Sequence, residues 1–135
     1  MLDIENIKLV GDALLKYCSK NDINMTTNVI TNGILLDDYK FDILKKYNLE
    51  EIQISMDGCE EYYHKYKNVN GEVFDRLLYK IKKYCKAVKI VVRLNCSKEN
   101  YDSIKDLTRR FYNIIEIREN IVFPLLNYEM IICQC

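Results

Sequence analysis

This 135-residue chain has no tryptophan, one proline and four glycines. It has no excess of charge either, since 20 basic residues meet 20 acidic ones. A balanced surface gives no global field to draw the chain toward nucleic acid or a membrane. No apolar run approaches the ~20 residues that a membrane helix needs. No charged-then-apolar leader opens the sequence, so neither a signal peptide nor a membrane span is expected. Glycine-rich phosphate loops such as G-x-G-x-x-G or G-x-x-x-x-G-K are also missing, which argues against an ordinary nucleotide-binding α/β enzyme.

The composition is otherwise that of a globular protein, with 49% hydrophobic and 30% charged residues. The length supports one domain with a real core, spanning 1–135, but is short for a complete barrel. The 11 tyrosines read as compositional bias, not as an aromatic binding surface. The six cysteines, Cys18, Cys59, Cys85, Cys96, Cys133 and Cys135, are irregularly spaced. That spacing points to reduced thiols in a cytoplasm and away from a disulfide scaffold.

Periodicity divides the chain into alternating helices and strands. Residues 4–19 put Ile7, Val10, Leu14, Tyr17 and Cys18 on one helical stripe. Met25 to Ile30 reads as a strand ending at the turn Thr31-Asn32-Gly33. Asp37 and Asp38 suit the start of a second helix, with Phe41, Leu44 and Tyr47 facing inward. Residues 51–56 form the next strand. A polar loop containing Asn70-Gly71 leads to a third helix carrying Val73, Phe74, Leu77, Leu78, Ile81, Tyr84 and Cys85. Residues 87–95 are the strongest strand. Ser97 can cap a fourth helix with Tyr101, Ile104, Leu107 and Phe111 inward. A last strand is expected at about 119–126. The order αβαβαβαβ argues for an α/β fold with a parallel sheet and right-handed crossovers.

Three of these strands end in polar residues: Thr31-Asn32-Gly33, Ser55-Met56-Asp57-Gly58 and Arg93-Leu94-Asn95. In a parallel sheet all three emerge at one edge, where α/β proteins place their ligands. Side chains alternate along a strand, so Gln53, Ser55 and Asp57 share one side, as do Arg93 and Asn95. An aspartate accepts hydrogen bonds from a ribose diol, and an arginine clamps a carboxylate. The set suits a small zwitterionic, nucleoside-like ligand. Each residue also has a plain structural reading, with Asn32 and Asp57 as turn formers and Arg93 paired with a helix carboxylate.

Thr-Asn-Gly, then Ser-Met-Asp-Gly, then Arg-Leu-Asn-Cys-Ser-Lys-Glu-Asn, in this order and spacing, resembles the middle and later strands of radical S-adenosylmethionine (radical SAM) enzymes. The segment Ile30-Thr31-Asn32-Gly33-Ile34-Leu35-Leu36 resembles that family's strand-to-helix turn. His64 and Lys67 occupy a segment that in the family often reads His-x-x-x-Arg. The nearest likeness is to the SPASM-type subgroup of sulfatase-maturing and peptide-modifying enzymes. The resemblance implies a partial (β/α) barrel, about four parallel βα units of a six-stranded barrel. It implies S-adenosylmethionine and a 4Fe-4S cluster as the parent family's cofactors, and a peptide or protein as substrate. Carried over residue by residue, it makes Asn32, Ser55, Asp57, Arg93 and Asn95 cofactor-binding. Lys67 stands where the family often has arginine, near the methionine carboxylate, as a point charge without the bidentate fork.

The family's cluster is held by Cys-x-x-x-Cys-x-x-Cys, and no such spacing occurs in these residues. The Gly-Gly-Glu-Pro stretch that reads the cofactor's amino group is also absent. Met1 therefore reads as an internal position of a longer parent, and 128–135, with Cys133 and Cys135, as the start of a truncated auxiliary-cluster region. The expectation is a fragment of a radical SAM enzyme, inactive alone and binding neither cofactor nor metal by itself. The alternative is a standalone α/β binding or interaction domain without catalysis. Cys18 and Cys85 read as core thiols, while Cys59 and Cys96 read as loop residues near the ligand edge. His64 reads as a solvated residue. An uncovered sheet edge is expected to favour self-association.

Overall fold

A computed structural model describes residues 3–67, 72–114 and 121–122. Helix α1 runs Ile4–Lys20, opened by Asp3, whose side chain accepts from the Asn6 amide. Strand β1 is Thr27–Thr31 and helix α2 is Asp38–Lys46, with Asp37 as its cap. Strand β2 is Leu49–Met56, followed by helices α3 (Glu60–Lys67) and α4 (Glu72–Tyr84). Strand β3 is Lys89–Leu94, helix α5 is Tyr101–Ile114, and β4 is the two-residue Ile121–Val122.

The strands form one sheet in the order β1-β2-β3-β4, with all pairs parallel. Each crossover steps in the same direction, so crossovers of one hand leave every helix on one face. That face carries Ile52, Ile54 and Met56 from β2 and Ile90, Val92 and Leu94 from β3, all at most 1% exposed. Phe41 and Leu44 of α2, Phe74, Leu77 and Ile81 of α4, and Ile104, Leu107 and Phe111 of α5 close over them as one cluster. Burying this many large side chains is what stabilises the chain. The opposite face stays partly open, with Ile30 74% exposed and Gln53, Ser55 and Arg93 half-buried.

The parallel α/β expectation holds, and the described residues contain three complete strand-to-helix units and a short fourth strand. The strand expected at about 119–126 is described only at 121–122. The polar stretch after β2, read as loop, instead contains α3, whose first turn carries Glu60 and Glu61 as a helix N-terminus favours. Ser97 does not cap α5: the helix starts at Tyr101, because Ser97 gives its own amide to the side chain of Asn100 at 2.6 Å. Tyr101, expected inward, is 60% exposed. The expected inward stripe of α1 is largely uncovered, and Gly11 is the helix's one buried residue.

Gly11 is where α1 docks. Tyr47, at the end of α2, lies flat under it, and a Cβ at position 11 would meet the ring at 2.7 Å. The Tyr47 hydroxyl donates to Asp12 Oδ1 at 2.9 Å and is 3.3 Å from the Lys8 carbonyl, so the ring cannot easily withdraw. Gly11→Val is therefore expected to lower stability by about 1–3 kcal/mol, the usual cost of overpacking. Urea unfolding checks this, and an unchanged midpoint would mean that α1 is not docked through this contact.

Candidate functional site

The carboxyl ends of β1, β2 and β3 meet at one edge of the sheet, as parallel pairing requires. Ser55 and Arg93 are register partners on the open face. Arg93 Nε is buried with no hydrogen-bond partner, and no salt bridge holds its guanidinium to a helix carboxylate among the described residues. Just beyond the strands, the Asn95 amide donates to the Met56 carbonyl at 3.0 Å. Its side-chain Nδ2 donates to Asp57 Oδ1 at 2.8 Å. Asp57 and Asn95, expected to share an edge, are thus in direct contact.

A residue with no role assigned from sequence organises this contact. Asn100 is 3% exposed, the one buried polar side chain among the described residues. Its Nδ2 donates to the carbonyls of Asp57 and Asn95, each at 2.8 Å. Its Oδ1 accepts from the Ser97 amide at 2.6 Å and the Ser97 hydroxyl at 3.1 Å. The amide therefore joins the end of β2, the end of β3 and the start of α5. An asparagine immediately before a helix is a known capping signal, and that signal pointed to position 100 over position 97.

Ser103 of α5 supplies the second tie. Its Oγ accepts from the Cys59 amide at 2.7 Å, and the Cys59 thiol donates to its carbonyl at 3.3 Å. Between them runs Gly58 at φ +137°, where a Cβ would lie 2.6 Å from Ser103 Oγ. Only glycine fits there. Burial pushes the Cys59 thiol above its ordinary pKa, keeping it protonated and weakly nucleophilic. Cys59 is accordingly a structural loop residue.

Asn32 behaves as a turn former. Its Oδ1 accepts from the Ile34 amide at 3.1 Å, while the Thr31 hydroxyl accepts from Gly33. Its carbonyl accepts from the Tyr63 hydroxyl at 3.4 Å. Tyr63, on α3, is fully buried, and burial followed by the charge of Asp57 pushes its pKa up to about 12. It thus lies between the β1 and β2 loops, a position the sequence reading did not assign. Lys80 of α4 donates to the carbonyls of Gly33 and Ile34 and holds the same turn from behind.

His64 is half-buried with its Nε2 enclosed and unpartnered, not solvated as expected. Lys67 closes α3 and its side chain lies outside the described residues, as do Cys133, Cys135 and the whole of 128–135. Cys85 is buried and Cys18 half-buried. Among the described residues no three histidine, cysteine, aspartate or glutamate side chains come together to hold a metal ion. No described helix is long and apolar enough to cross a membrane.

A parallel α/β sheet with a braced carboxylate and amide at its strand ends belongs to the class that binds small ligands at that edge. Residues 4–111 match the model of the Radical SAM superfamily, and the chain belongs to that superfamily. No curated protein matches the chain. The superfamily typically uses S-adenosylmethionine and a 4Fe-4S cluster. The described thiols are too scattered to hold such a cluster, so those residues do not fit that group. The strand-end edge brings together the Asp57 carboxylate, the Asn95 amide, the Ser55 hydroxyl and the Arg93 guanidinium, whose enclosed Nε has no hydrogen-bond partner.

Two outcomes follow. Asn100→Ala should cost about 1–3 kcal/mol in urea unfolding, because the buried amide that ties the carbonyls of Asp57 and Asn95 together is lost. Asn95→Ala, at an exposed position, should cost clearly less. Separately, the raised Tyr63 pKa favours the fold fully below the ordinary tyrosine value of 10.0, and that contribution is lost as the pH rises through about 12. Stability should therefore fall across that window, with Tyr63 titrating late in an absorbance titration beside Tyr47 and Tyr84, whose pKa values are also raised. Tyr63→Phe should shrink the late phase by one tyrosine without abolishing it.

Proposed function

We propose that this chain is part of a radical SAM enzyme barrel, of the SPASM type, that modifies a peptide or protein, and that the chain alone is not catalytic. The observation that carries the reading is the Asp57–Asn95 pair, braced by Asn100 at the ends of parallel strands. It supports Asp57 and Ser55 as the wall beside the ribose, with Asn95 and Arg93 flanking the cofactor and Asn32 lining the mouth through its turn. Lys67 near the methionine carboxylate completes the proposed set. The partial barrel is supported by the one-sided sheet, whose open face is polar toward the strand ends.

The inactivity of the chain alone rests on its cysteines, which nowhere show the Cys-x-x-x-Cys-x-x-Cys spacing. The same observation favours one second reading, a binding or interaction domain that keeps the nucleoside edge without the chemistry. A cytoplasmic location fits both, given the dispersed free thiols.

Titration with S-adenosylmethionine, followed by amide NMR, tests the edge. Shifts are expected at Ser55, Asp57 and Asn95 with a dissociation constant of about 1 mM or weaker. Asp57→Asn should weaken it roughly tenfold, in line with a lost charge-assisted hydrogen bond. An absence of shifts at these positions would defeat the cofactor-wall assignment. Anaerobic reconstitution that loads four irons and cleaves the cofactor would instead overturn the inactivity of the chain alone.

A further inference from the structure

Gln53, Ser55 and Arg93 sit together on the open face of the sheet. Register sets Ser55 of β2 beside Arg93 of β3, and Gln53 precedes Ser55 on the same side of its strand. All three are half-buried. Among the described residues no side-chain hydrogen bond or salt bridge reaches any of them, and Arg93 Nε is fully enclosed. An arginine drawn out of water is ordinarily paired. The acids on this side of β2 are engaged elsewhere: Glu51 holds Lys89 at 2.7 Å, and Asp57 Oδ1 holds the Asn95 amide at 2.8 Å.

The chemistry of these groups narrows what fits them. A guanidinium is a fork of donors with no acceptor, and the amide and the hydroxyl beside it can both donate. The complement is a group that only accepts. An ionised carboxylate is such a group, and its two oxygens match the guanidinium fork. Charge narrows the choice further. Asp57 stands two residues beyond Ser55, about 6–7 Å along the strand, so it repels a dianion such as phosphate more than a single carboxylate.

We infer that Gln53, Ser55 and Arg93 form a carboxylate site, and that it takes an acidic side chain of the peptide substrate. The site itself follows from these side chains alone. Its assignment to the substrate rests on the peptide-modifying reading above, in which Lys67 meets the cofactor's own carboxylate and Arg93 stands free beside it. Arg93 then anchors the substrate one step deeper on the open face than the Asp57–Asn95 pair.

NMR of the full 135-residue chain, titrated with sodium acetate against sodium chloride at equal ionic strength, tests the site. The Arg93 Nε–H signal and the Gln53 and Ser55 amides should shift saturably with acetate, with a dissociation constant of about 10–100 mM, the strength of one charge-assisted pair. Arg93→Gln should abolish the amide shifts, and Arg93→Lys, which keeps the charge without the fork, should weaken binding roughly threefold. Asp57→Asn should tighten acetate about two- to threefold, opposite in sign to its effect on S-adenosylmethionine. No shift beyond that of chloride, or one that survives Arg93→Gln, overturns the site. Glutamate capped at both ends should act as acetate does, and capped glutamine should not. Failure of capped glutamate, or displacement of acetate from Arg93 by S-adenosylmethionine, overturns the substrate assignment. An acetate shift at Arg93 with S-adenosylmethionine leaving Asp57 and Asn95 unmoved upholds the carboxylate site and defeats the cofactor reading alone.

Discussion

The apolar sides of β2 and β3 find shelter only against the helices that connect the strands, and those helices all fall on one face. This confinement follows from the direction of strand order, since each strand is added beside the last by a crossover of the same hand. Two consequences run through the molecule. The helix-bearing face becomes a continuous core from Phe41 to Phe111. The other face carries Gln53, Ser55 and Arg93, half-buried, with Val91 buried and Ile30 exposed.

At that edge, the contact between Asp57 and Asn95 is set by side chains behind it. Asp57 and Asn95 are the visible pair, but Asn100 and Ser103, both contributed by the start of α5, decide where they stand. Each donor of the Asn100 amide goes to a different strand end, and a buried amide satisfied this fully has little freedom to shift. The close pass of Gly58 over Ser103 locks the same loop from the other side.

Much of the architecture was legible in the sequence because its signals were periodic. The helical repeat of Phe74, Leu77, Ile81 and Tyr84 and the β-branched run around Val91 both led to the elements observed. Asp37 announced α2 because a cap acts through its own neighbours. The misses were non-local. α3 was hidden because, among its described side chains, only Tyr63 is buried, so the segment shows little apolar rhythm. Val10 and Leu14 of α1 looked like core, since periodicity reports which residues share a face but not whether anything covers it. The strand-end pattern placed Asp57 and Asn95 at one edge, where the two are in contact. The role of Asn100 depends on three segments meeting in space.

Tyr63 gives the mouth a mechanical character. Its ring is rooted in the core against Phe74, with ring centroids 5.7 Å apart, while its hydroxyl holds the β1 turn at Asn32. The turn cannot swing outward on its own without breaking that hydrogen bond or drawing a fully buried ring into water. Displacing the turn means giving up this contact together with the Lys80 hydrogen bonds to the Gly33 and Ile34 carbonyls, so the turn is tied to both α3 and α4. The mouth of the sheet is thus anchored to the core through a single aromatic ring.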